Sequence, residues 1–399
     1  MNILMLSDVY FPRVNGVSTS IATFRRALAE QGHRVCLVAP DYGYPSDDET
    51  DIIRIPARRL PFDPEDRLMR TGAILALEDR LREQQFDLLH IQTPFAAHRT
   101  GMQLARRLGL TAVETYHTYF EEYLYHYIPL LPRQLLRAAA RYFTRAQCNR
   151  LAAVVVPSQA MLDVLRGYGV QRPISIIPTG LEPQSYGNYS GQRFREQHGI
   201  APDRPVMVHV GRVAHEKNIG FLLEVVAAVA AVLPHALLVI AGEGPARRQL
   251  RRQVADMGLQ DNVMFIDYLP RGPALWECYS CGDVFVFASA TETQGLVLLE
   301  ALALGIPVVS TARLGTTDIL AAGRGALVAD ATVSDFAAKV CAVLGRTGLR
   351  ERLAQEARDY AREWSAGKMA QRLTEFYAHL APARASVRLP GRRKTAPAG

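Results

Sequence analysis

The segment from residue 284 to residue 311 constrains the fold more strongly than any other part of the sequence. It reads as a buried strand from Val284, a polar loop from Ser289, a glycine at Gly295, an apolar helix to Leu304 and then a second strand. Two strands joined through a helix cannot pair as a hairpin, so they lie parallel in one sheet. Because parallel sheets are covered by helices on both faces, this segment predicts an α/β fold.

Two acids flank the glycine that opens this helix. Glu292 lies in the loop before Gly295, and Glu300 lies just over one turn into the helix. Helical side chains lean toward the N-terminus, so the Glu300 carboxylate can reach the helix entrance. The free amides of Gly295, Leu296 and Val297, with the positive end of the helix dipole behind them, suit a diphosphate. Carboxylates at this point can accept hydrogen bonds from ribose and hexose hydroxyls while the amides bind the phosphates.

This segment resembles the E-x7-E signature of the retaining glycosyltransferases of family 4, with Glu292 and Glu300 as the two acids. Ser289 before the acids and the run 305–309 after them make the resemblance specific. It implies the GT-B architecture, in which two Rossmann-like domains face a central cleft. The alternative is structural, with both acids only solvating the edge of a core helix.

Strands and helices alternate along the chain in two series. The sequence predicts one Rossmann-like domain over residues 1–183, a polar linker over 184–203 and a second Rossmann-like domain over 204–350. The resemblance implies that the first domain holds the acceptor and the second the nucleotide sugar, each outside the carboxyl ends of its parallel strands. The resemblance implies that the C-terminal helix, within 351–380, packs back on the first domain. Residues 381–399, rich in Pro, Ala, Gly and Arg, are predicted to form a disordered basic tail.

Two cations follow the first strand of the second series. Arg212 and Lys217 lie between Gly211 and Asn218, in a segment that resembles the family pattern G-R-x-x-x-E-K-N. A departing nucleoside diphosphate gains negative charge, and two positioned cations can stabilise it without a metal. No predicted strand ends in an Asp-x-Asp pair that would bind a metal-bound nucleotide sugar, so we expect metal-independent chemistry without a cofactor. The alternative, a pair of surface cations, is disfavoured by their position at the carboxyl end of a strand.

Candidate residues also follow the strand ends of the first domain. Tyr10, Arg13 and Gly16 lie between the first strand and the first helix, and Gly16 is at a helix entrance that suits an anion. His117 follows a strand at 111–115, and its Tyr-His-Thr context resembles the family histidine that faces the transferred sugar. The resemblance therefore gives His117 a catalytic position, adds Gly16 to the donor site, and puts the acceptor near Tyr10, Arg13 and His117. Two further histidines near strand ends are interpreted as structural: His90 and His98.

Arginines recur at every fourth position of a helix predicted between residues 130 and 145, which gathers them on one side. Apolar residues are predicted on the other side, and tyrosines precede the helix. One interpretation is a basic amphipathic helix that docks on an anionic membrane, and the equal alternative is a domain helix with a solvated basic face. The combination resembles the glycolipid-forming branch of the family, which includes diacylglycerol glucosyltransferases. The arginines are Arg133, Arg137, Arg141 and Arg145, and the apolar residues are Leu135, Leu136, Ala139, Tyr142 and Phe143.

Composition and charge narrow the possible location and partners of the protein. No run of eighteen apolar residues could span a membrane, and no basic leader precedes the first strand, so we expect a cytoplasmic enzyme, peripheral at the inner face of the plasma membrane. The five cysteines form neither a disulfide framework nor a zinc pattern. The net charge of +7 comes almost entirely from arginine, and we expect no nucleic-acid partner.

The sequence thus predicts a retaining hexosyltransferase that uses a nucleoside-diphosphate sugar of the UDP-glucose or GDP-mannose type. The predicted acceptor is a lipid such as diacylglycerol, and the alternative is a soluble or polysaccharide-precursor acceptor. The sequence also leaves open a nucleotide-sugar epimerase and a non-catalytic sugar-binding protein on a similar fold. The resemblance implies front-face substitution, in which the leaving phosphate takes the acceptor proton and the protein supplies position and charge.

Overall fold

Two parallel sheets organise the part of the chain that the computed structural model describes, which is residues 1–43, 51–59, 67–119, 121 and 132–380. The strands of the first half are β1 (Asn2–Leu6), β2 (Arg34–Pro40), β3 (Ile52–Ile55), β4 (Ala57–Arg59), β5 (Arg67–Met69), β6 (Leu88–Ile91), β7 (Thr111–Thr115), β8 (Ala153–Val156) and β9 (Ile174–Ile176). They form a seven-stranded parallel sheet of order β3-β2-β1-β6-β7-β8-β9, with β4 and β5 as a separate antiparallel pair.

Helices cover both faces of this sheet. They are α1 (Gly16–Glu30), α2 (Thr71–Leu75), α3 (Glu78–Glu83), α4 (Ala96–Leu108), α5 (Arg133–Cys148) and α6 (Gln159–Gly167). Local sequence sets several of their ends: the Asn15 side chain caps α1 by accepting from the Ser18 amide, and Gly109 ends α4 in the left-handed conformation. The central strands are buried along their length because helices pack on both sides.

The second half repeats this plan. Its strands are β10 (Val206–Val210), β11 (Leu237–Ala241), β12 (Val263–Ile266), β13 (Val284–Phe287), β14 (Val308–Ser310) and β15 (Ala326–Val328), in the order β12-β11-β10-β13-β14-β15. Its helices are α7 (Gly191–Gln197), α8 (Ile219–Ala230), α9 (Arg247–Asp256), α10 (Pro273–Ser280), α11 (Leu296–Ala303), α12 (Thr316–Leu320), α13 (Val333–Gly345) and α14 (Thr347–Ala361), and α15 (Ala366–Leu380) follows them. No helix of the described residues is both long and apolar enough to cross a bilayer.

Residues 184–203, predicted to be a linker, differ from that prediction because they carry α7 into the second half. Phe194 and Ile200 are buried in its core. Arg195 is also buried, and its guanidinium donates to the Cys281 carbonyl at 2.9 Å and to Asp283 at 3.1 Å. This packing could not be predicted from the polar sequence, because only one narrow side of a short helix faces the core.

The predicted C-terminal helix is two helices that pack on different halves. Tyr360 of α14 lies in the core of the second half, whereas Tyr377 of α15 lies in the core of the first half against α1. Only residues 366–380 therefore pack back on the first domain. The two crossings between the halves lie side by side, and a Cβ at Gly180 would come within 2.6 Å of the Ala366 backbone. The predicted tail, residues 381–399, lies outside the described residues.

Candidate active site

The strand order of the second half places one site at the carboxyl ends of β10 and β13. From these two neighbouring strands the chain continues in opposite directions across the sheet, to β11 and to β14. A crevice forms where adjacent strands diverge in this way, and ligands of open α/β sheets bind there. The segment 211–218 follows β10 and the segment 288–295 follows β13, so both predicted motifs meet at this point.

Lys217 and Glu292 form an ion pair across this crevice, and each side chain is 17% exposed. Lys217 ends a short 3-10 turn, and Asn218 after it has a φ of 54°, a left-handed conformation that asparagine tolerates well. The Ser289 hydroxyl donates to the Glu216 carbonyl at 3.2 Å, which ties the two loops together. The local sequence of each loop therefore holds one member of the pair in position.

Glu292 is held as a carboxylate. Burial alone would raise its pKa, but the charge and the hydrogen bond of Lys217 outweigh burial and lower the pKa overall. An ionised Glu292 is only a hydrogen-bond acceptor. It is thus suited to bind sugar hydroxyls.

Gly295 lets the chain turn sharply into α11. Its φ is 98°, and a Cβ would come within 3.0 Å of the Thr316 methyl, so a side chain would be strained there. The amides of Leu296 and Val297 lie in the first turn, where a helix offers them no internal partner. The helix therefore begins where the sequence predicted, and the binding of phosphate at its entrance stays a prediction.

Glu300 is 3% exposed and is held by two donors that the sequence analysis missed. Arg271 Nη1 lies 2.8 Å from Glu300 Oε1, and the Tyr279 hydroxyl donates to Oε2 at 2.7 Å. Burial, followed by the charge and hydrogen bond of Glu300, raises the pKa of Tyr279 well above its usual value. Arg271 precedes α10 and Tyr279 lies within it, and no sequence spacing relates either residue to Glu300.

Arg212 is exposed, and within the described ranges its side chain makes no hydrogen bond or ion pair. Its loop is fixed by the next residue, because the Val213 amide donates to the Glu243 carbonyl at 2.8 Å. The two predicted cations therefore differ: Lys217 is bound to Glu292, whereas Arg212 faces solvent at the end of β10.

His209 is a second residue that the sequence analysis missed. It is fully buried on β10, and its ring stacks on Phe287 with the centroids 5.7 Å apart. Nδ1 lies 3.1 Å from the Val286 carbonyl and so carries the proton, while Nε2 has no partner among the described residues. Burial lowers the pKa of His209 to about 4, which keeps the ring neutral beneath the Lys217–Glu292 pair.

His117 brings the first half to the same crevice. Its backbone carbonyl accepts a hydrogen bond from the Thr293 hydroxyl at 2.8 Å, one residue beyond Glu292. Its Nε2 donates to Gln92 Oε1 at 2.9 Å, and burial lowers its pKa to about 4. Next in the loop, the Gln294 side chain pairs with the backbone of Thr179. The loop that carries Glu292 thus contacts the first half at two points.

The other predicted residues of the first half differ in exposure. Gly16 is exposed at the start of α1, with open space where a Cβ would lie. Arg13 is half-buried, and its amide donates to the Tyr10 carbonyl. Tyr10 is 5% exposed, and its hydroxyl accepts from Arg25 at 3.0 Å, so it packs inside the domain. The acceptor roles of Tyr10 and Arg13 stay predictions.

The two histidines interpreted as structural, His90 and His98, are hydrogen-bonded inside the first half. His90 lies between the Tyr377 hydroxyl at 2.5 Å and the Thr115 hydroxyl at 2.7 Å. His98 contacts Glu114 at 2.5 Å. These partners agree with the structural interpretation of both histidines.

The helix α5 exposes more than its arginines. It buries only a narrow stripe, formed by Leu136, Ala140, Thr144 and Cys148. Leu135, Tyr142 and Phe143 are 57%, 67% and 51% exposed, so most of the predicted apolar side of the helix is open to solvent. The reason is that residues at fourfold spacing cover one line of contact, and the helix lies against its neighbours only along that line. The tyrosines predicted to flank the helix at 123, 125 and 127, and Phe120, lie outside the described residues.

Glu121 neutralises part of this basic surface. It accepts from Arg141 Nε at 3.0 Å and from the Tyr168 hydroxyl at 2.5 Å, and Arg137 lies 3.7 Å away. An open groove of about 480 Å³ is lined by Arg137, Arg141, Arg145, Tyr142 and Tyr168. The helix begins at Arg133.

Among the described residues, no three histidine, cysteine or acidic side chains come together as a metal site requires. Metal-independent transfer stays a prediction.

Comparison with known proteins covers both halves. The model of Glycosyltransferase Family 4 matches residues 14–185, and that of Glycosyl transferases group 1 matches residues 191–360. The chain is 34% identical to alpha-monoglucosyldiacylglycerol synthase of Streptococcus pneumoniae, over 78% of this chain and 71% of that protein. It is 27% identical to the protein of the same name from Acholeplasma laidlawii, over 77% of this chain and 80% of that protein.

Solved structures share the architecture. The crystal structure of HepE from Anabaena in complex with UDP superposes with a TM-score of 0.75, covering 95% of this chain and 100% of its own, at 17% identity. At that identity the likeness shows the fold alone.

Proposed function

We propose a reaction for this chain, which belongs to the group 1 glycosyltransferases of family 4 and has their two-domain GT-B fold: transfer of glucose from UDP-glucose to diacylglycerol, with retention at the anomeric carbon. That it is a hexosyltransferase follows from its family. The sugar, the nucleotide and the lipid are the proposal, and the names of the two relatives support them.

The observation that carries the proposal is the half-buried Lys217–Glu292 pair beside the helix entrance at Gly295. An ammonium has three hydrogens, so Lys217 can donate to Glu292 and still donate to a phosphate oxygen. Donors fixed where charge develops stabilise a transition state more than mobile water does, because they need no reorganisation. Lys217, the first amides of α11 and Arg212 would therefore stabilise the departing diphosphate. Glu292 would accept from the hydroxyls of the sugar.

Positioned cations also support transfer without a metal. Lys217 is fixed by its ion pair, and Arg212 lies exposed at the end of β10, so both can meet an incoming diphosphate. Activity should persist in excess EDTA. A strict requirement for magnesium or manganese would contradict this part of the proposal.

A transfer assay tests the reaction. The purified protein is incubated with UDP-glucose, UDP-galactose or GDP-mannose and vesicles that contain diacylglycerol, and the anomeric configuration of any glycolipid is read by NMR. We expect an α-glucolipid from UDP-glucose, formed about a hundredfold more slowly by the Glu292→Gln variant. Formation of a mannolipid would show that GDP-mannose, not UDP-glucose, is the donor. A product formed only with water-soluble acceptors would show that the acceptor is not a lipid. Conversion of the sugar nucleotide without any glycoside would favour an epimerase, and tight binding without turnover a sugar-binding protein.

A lipid acceptor requires access to a membrane, and the surface of α5 fits this requirement. It presents Arg137, Arg141 and Arg145 beside the exposed side chains of Tyr142 and Phe143. Each cation near an anionic surface contributes about 1 kcal/mol, and inserted aromatic side chains add apolar burial. Glu121 offsets part of the charge, so we expect reversible, salt-sensitive docking.

Vesicle co-sedimentation tests this docking. Binding should rise when phosphatidylglycerol is added to phosphatidylcholine vesicles, and should fall with salt and with Gln at Arg137, Arg141 and Arg145. The matched control is Arg248→Gln with Arg252→Gln on α9, an exposed arginine pair of the other half, which should leave binding unchanged. Equal binding to neutral and anionic vesicles would remove the membrane role and favour a soluble acceptor.

A further inference from the structure

Glu300 presents a buried charge that needs a physical explanation. It is 3% exposed, and a carboxylate removed from water is costly unless it is paired and hydrogen-bonded. Its two oxygens are bound by different donors: Oε1 by Arg271 and Oε2 by Tyr279. Each oxygen offers about two acceptor positions, so each retains one after these contacts.

Both donors are themselves fixed. Tyr279 is fully buried, and its ring stacks between Trp276 and Phe285 with centroids 6.0 and 5.5 Å away. The guanidinium of Arg271 lies 5.3 Å from the centroid of the Trp276 ring, and its side chain is 28% exposed. One aromatic residue therefore supports both donors. Glu300 is held in one orientation before any ligand arrives.

We propose that Arg271 and Tyr279 are positioning residues for the donor ribose: they orient Glu300 so that its remaining acceptor positions receive the ribose hydroxyls. This inference rests on the proposed function, because it requires a nucleoside diphosphate at the entrance of α11. It also explains why a carboxylate faces two donors inside a domain that binds an anion. The diphosphate is bound by the first amides of α11 and by Lys217. The charge of Glu300 is neutralised by Arg271, and its free acceptor positions bind the ribose hydroxyls.

A solely structural role makes a different prediction. If the two donors only stabilise the fold, their loss weakens every nucleotide equally. If they act through Glu300 on the ribose, their loss weakens only nucleotides that carry the hydroxyls. The ratio of two affinities therefore separates the two roles, whereas a single affinity does not.

Isothermal titration with UDP, 2′-deoxy-UDP and 3′-deoxy-UDP measures this ratio. We expect the wild type to prefer UDP over at least one deoxy analogue by about tenfold, because hydrogen bonds to charged groups are the stronger ones. Tyr279→Phe keeps the packing of the ring and should reduce the preference several-fold, with the affinity for the deoxy analogue unchanged. Arg271→Met should reduce it further, and Arg271→Lys should restore part of it.

Arg193→Met is the matched control. It removes an arginine whose guanidinium lies 3.6 Å from Glu277 on the same helix as Tyr279, α10, and it should leave the ratio at the wild-type value. A full preference for UDP in both Tyr279→Phe and Arg271→Met would overturn the inference while leaving the transfer reaction intact. Equal wild-type affinities for UDP and both deoxy analogues would also overturn it, even if glycolipid forms. Failure of the proposed function appears separately, as absence of product in the transfer assay.

Discussion

The two halves of the molecule share one architecture and use their polar residues in opposite ways. In the second half, ionisable side chains pair at the cleft: Lys217 with Glu292, and Arg271 with Glu300. In the first half, buried polar groups satisfy each other inside the domain, as His98 does with Glu114, and the arginines of α5 lie at the surface. The same architecture thus carries paired charges at the cleft in the second half and exposed arginines on α5 in the first half.

This difference follows from what each half is proposed to bind. A nucleotide has fixed hydrogen-bonding groups, and buried pairs meet them without further reorganisation. A membrane has no fixed geometry, so exposed cations and aromatic side chains suit it better, at the cost of sensitivity to salt. Substitutions in the second half should therefore affect turnover and donor binding, and substitutions on α5 should affect binding of the protein to the membrane.

The largest effect is expected from Lys217→Ala, because it removes a fixed cation from the developing charge of the leaving group. We expect kcat to fall by about 10² to 10³. Lys339→Ala is the control, since Lys339 also pairs with a carboxylate, Asp335, but on the surface of α13. Comparable losses in both variants, or normal turnover in Lys217→Ala, would remove the distinction between cleft and surface pairs.

The second-largest effect is expected from the two acids, Glu292 and Glu300, whose substitutions should change different kinetic constants. Glu292→Gln should lower kcat by about 10² with a small change in the donor KM, since Glu292 is proposed to contact the transferred sugar. Glu300→Gln should raise the donor KM about tenfold with a smaller change in kcat, since it is proposed to bind the ribose. Steady-state kinetics with varied UDP-glucose measure both. Unchanged kinetics in the two variants would show that the buried pairs only stabilise the fold.

A smaller effect is expected from the aromatic residues of α5. Tyr142→Ser with Phe143→Ser should weaken vesicle binding by about tenfold, because less apolar surface is buried in the membrane. Val232→Ser, at a position of the second half that is 67% exposed, should not change it. Turnover on a short-chain, water-soluble diacylglycerol should be unchanged in all variants. A loss of turnover on this water-soluble acceptor would show that α5 takes part in acceptor binding or catalysis and does not only bind the membrane.

The smallest effect concerns His209. Its folded pKa of about 4 lies below the ordinary 6.5, so its contribution to stability is present above pH 6.5 and is lost as the pH falls toward 4. His209→Phe should remove on the order of 1 kcal/mol of that acid sensitivity, whereas Gln at the exposed His235 should not. Melting temperatures between pH 7 and pH 5 measure this.

Asp8, in the first half, contributes to stability with the opposite pH dependence to His209. Burial raises its pKa to about 6 from 3.8, so its contribution is present below pH 3.8 and is lost as the pH rises through 6. The acid profile of the whole protein is thus a difference between opposing groups. Only the single-residue comparison at His209 isolates one of them, and an unchanged profile in His209→Phe would contradict the neutral, buried ring.

Much of the site could be predicted from the sequence because its residues lie close along the chain. The alternation of strands and helices predicted two parallel sheets, and the segments 211–218 and 288–300 predicted the cations, the acids and the helix entrance; the family and the fold are confirmed. These are local signals, since a βα unit carries its strand, glycine and helix in one stretch. The helix inside the predicted linker differs from prediction because burial there depends on neighbours distant in sequence.

The sequence by itself determined the two α/β domains, the pair Glu292 and Glu300, and Lys217 beside them, because spacing and strand ends fix these within one or two turns. Only the tertiary structure decided what holds them. Arg271 and Tyr279 reach Glu300 from a loop and a helix 29 and 21 positions away, and His209 lies beneath the Lys217–Glu292 pair on the strand next to β13. The free energy of a buried charge depends on which donors surround it, and packing, not spacing, brings those donors together.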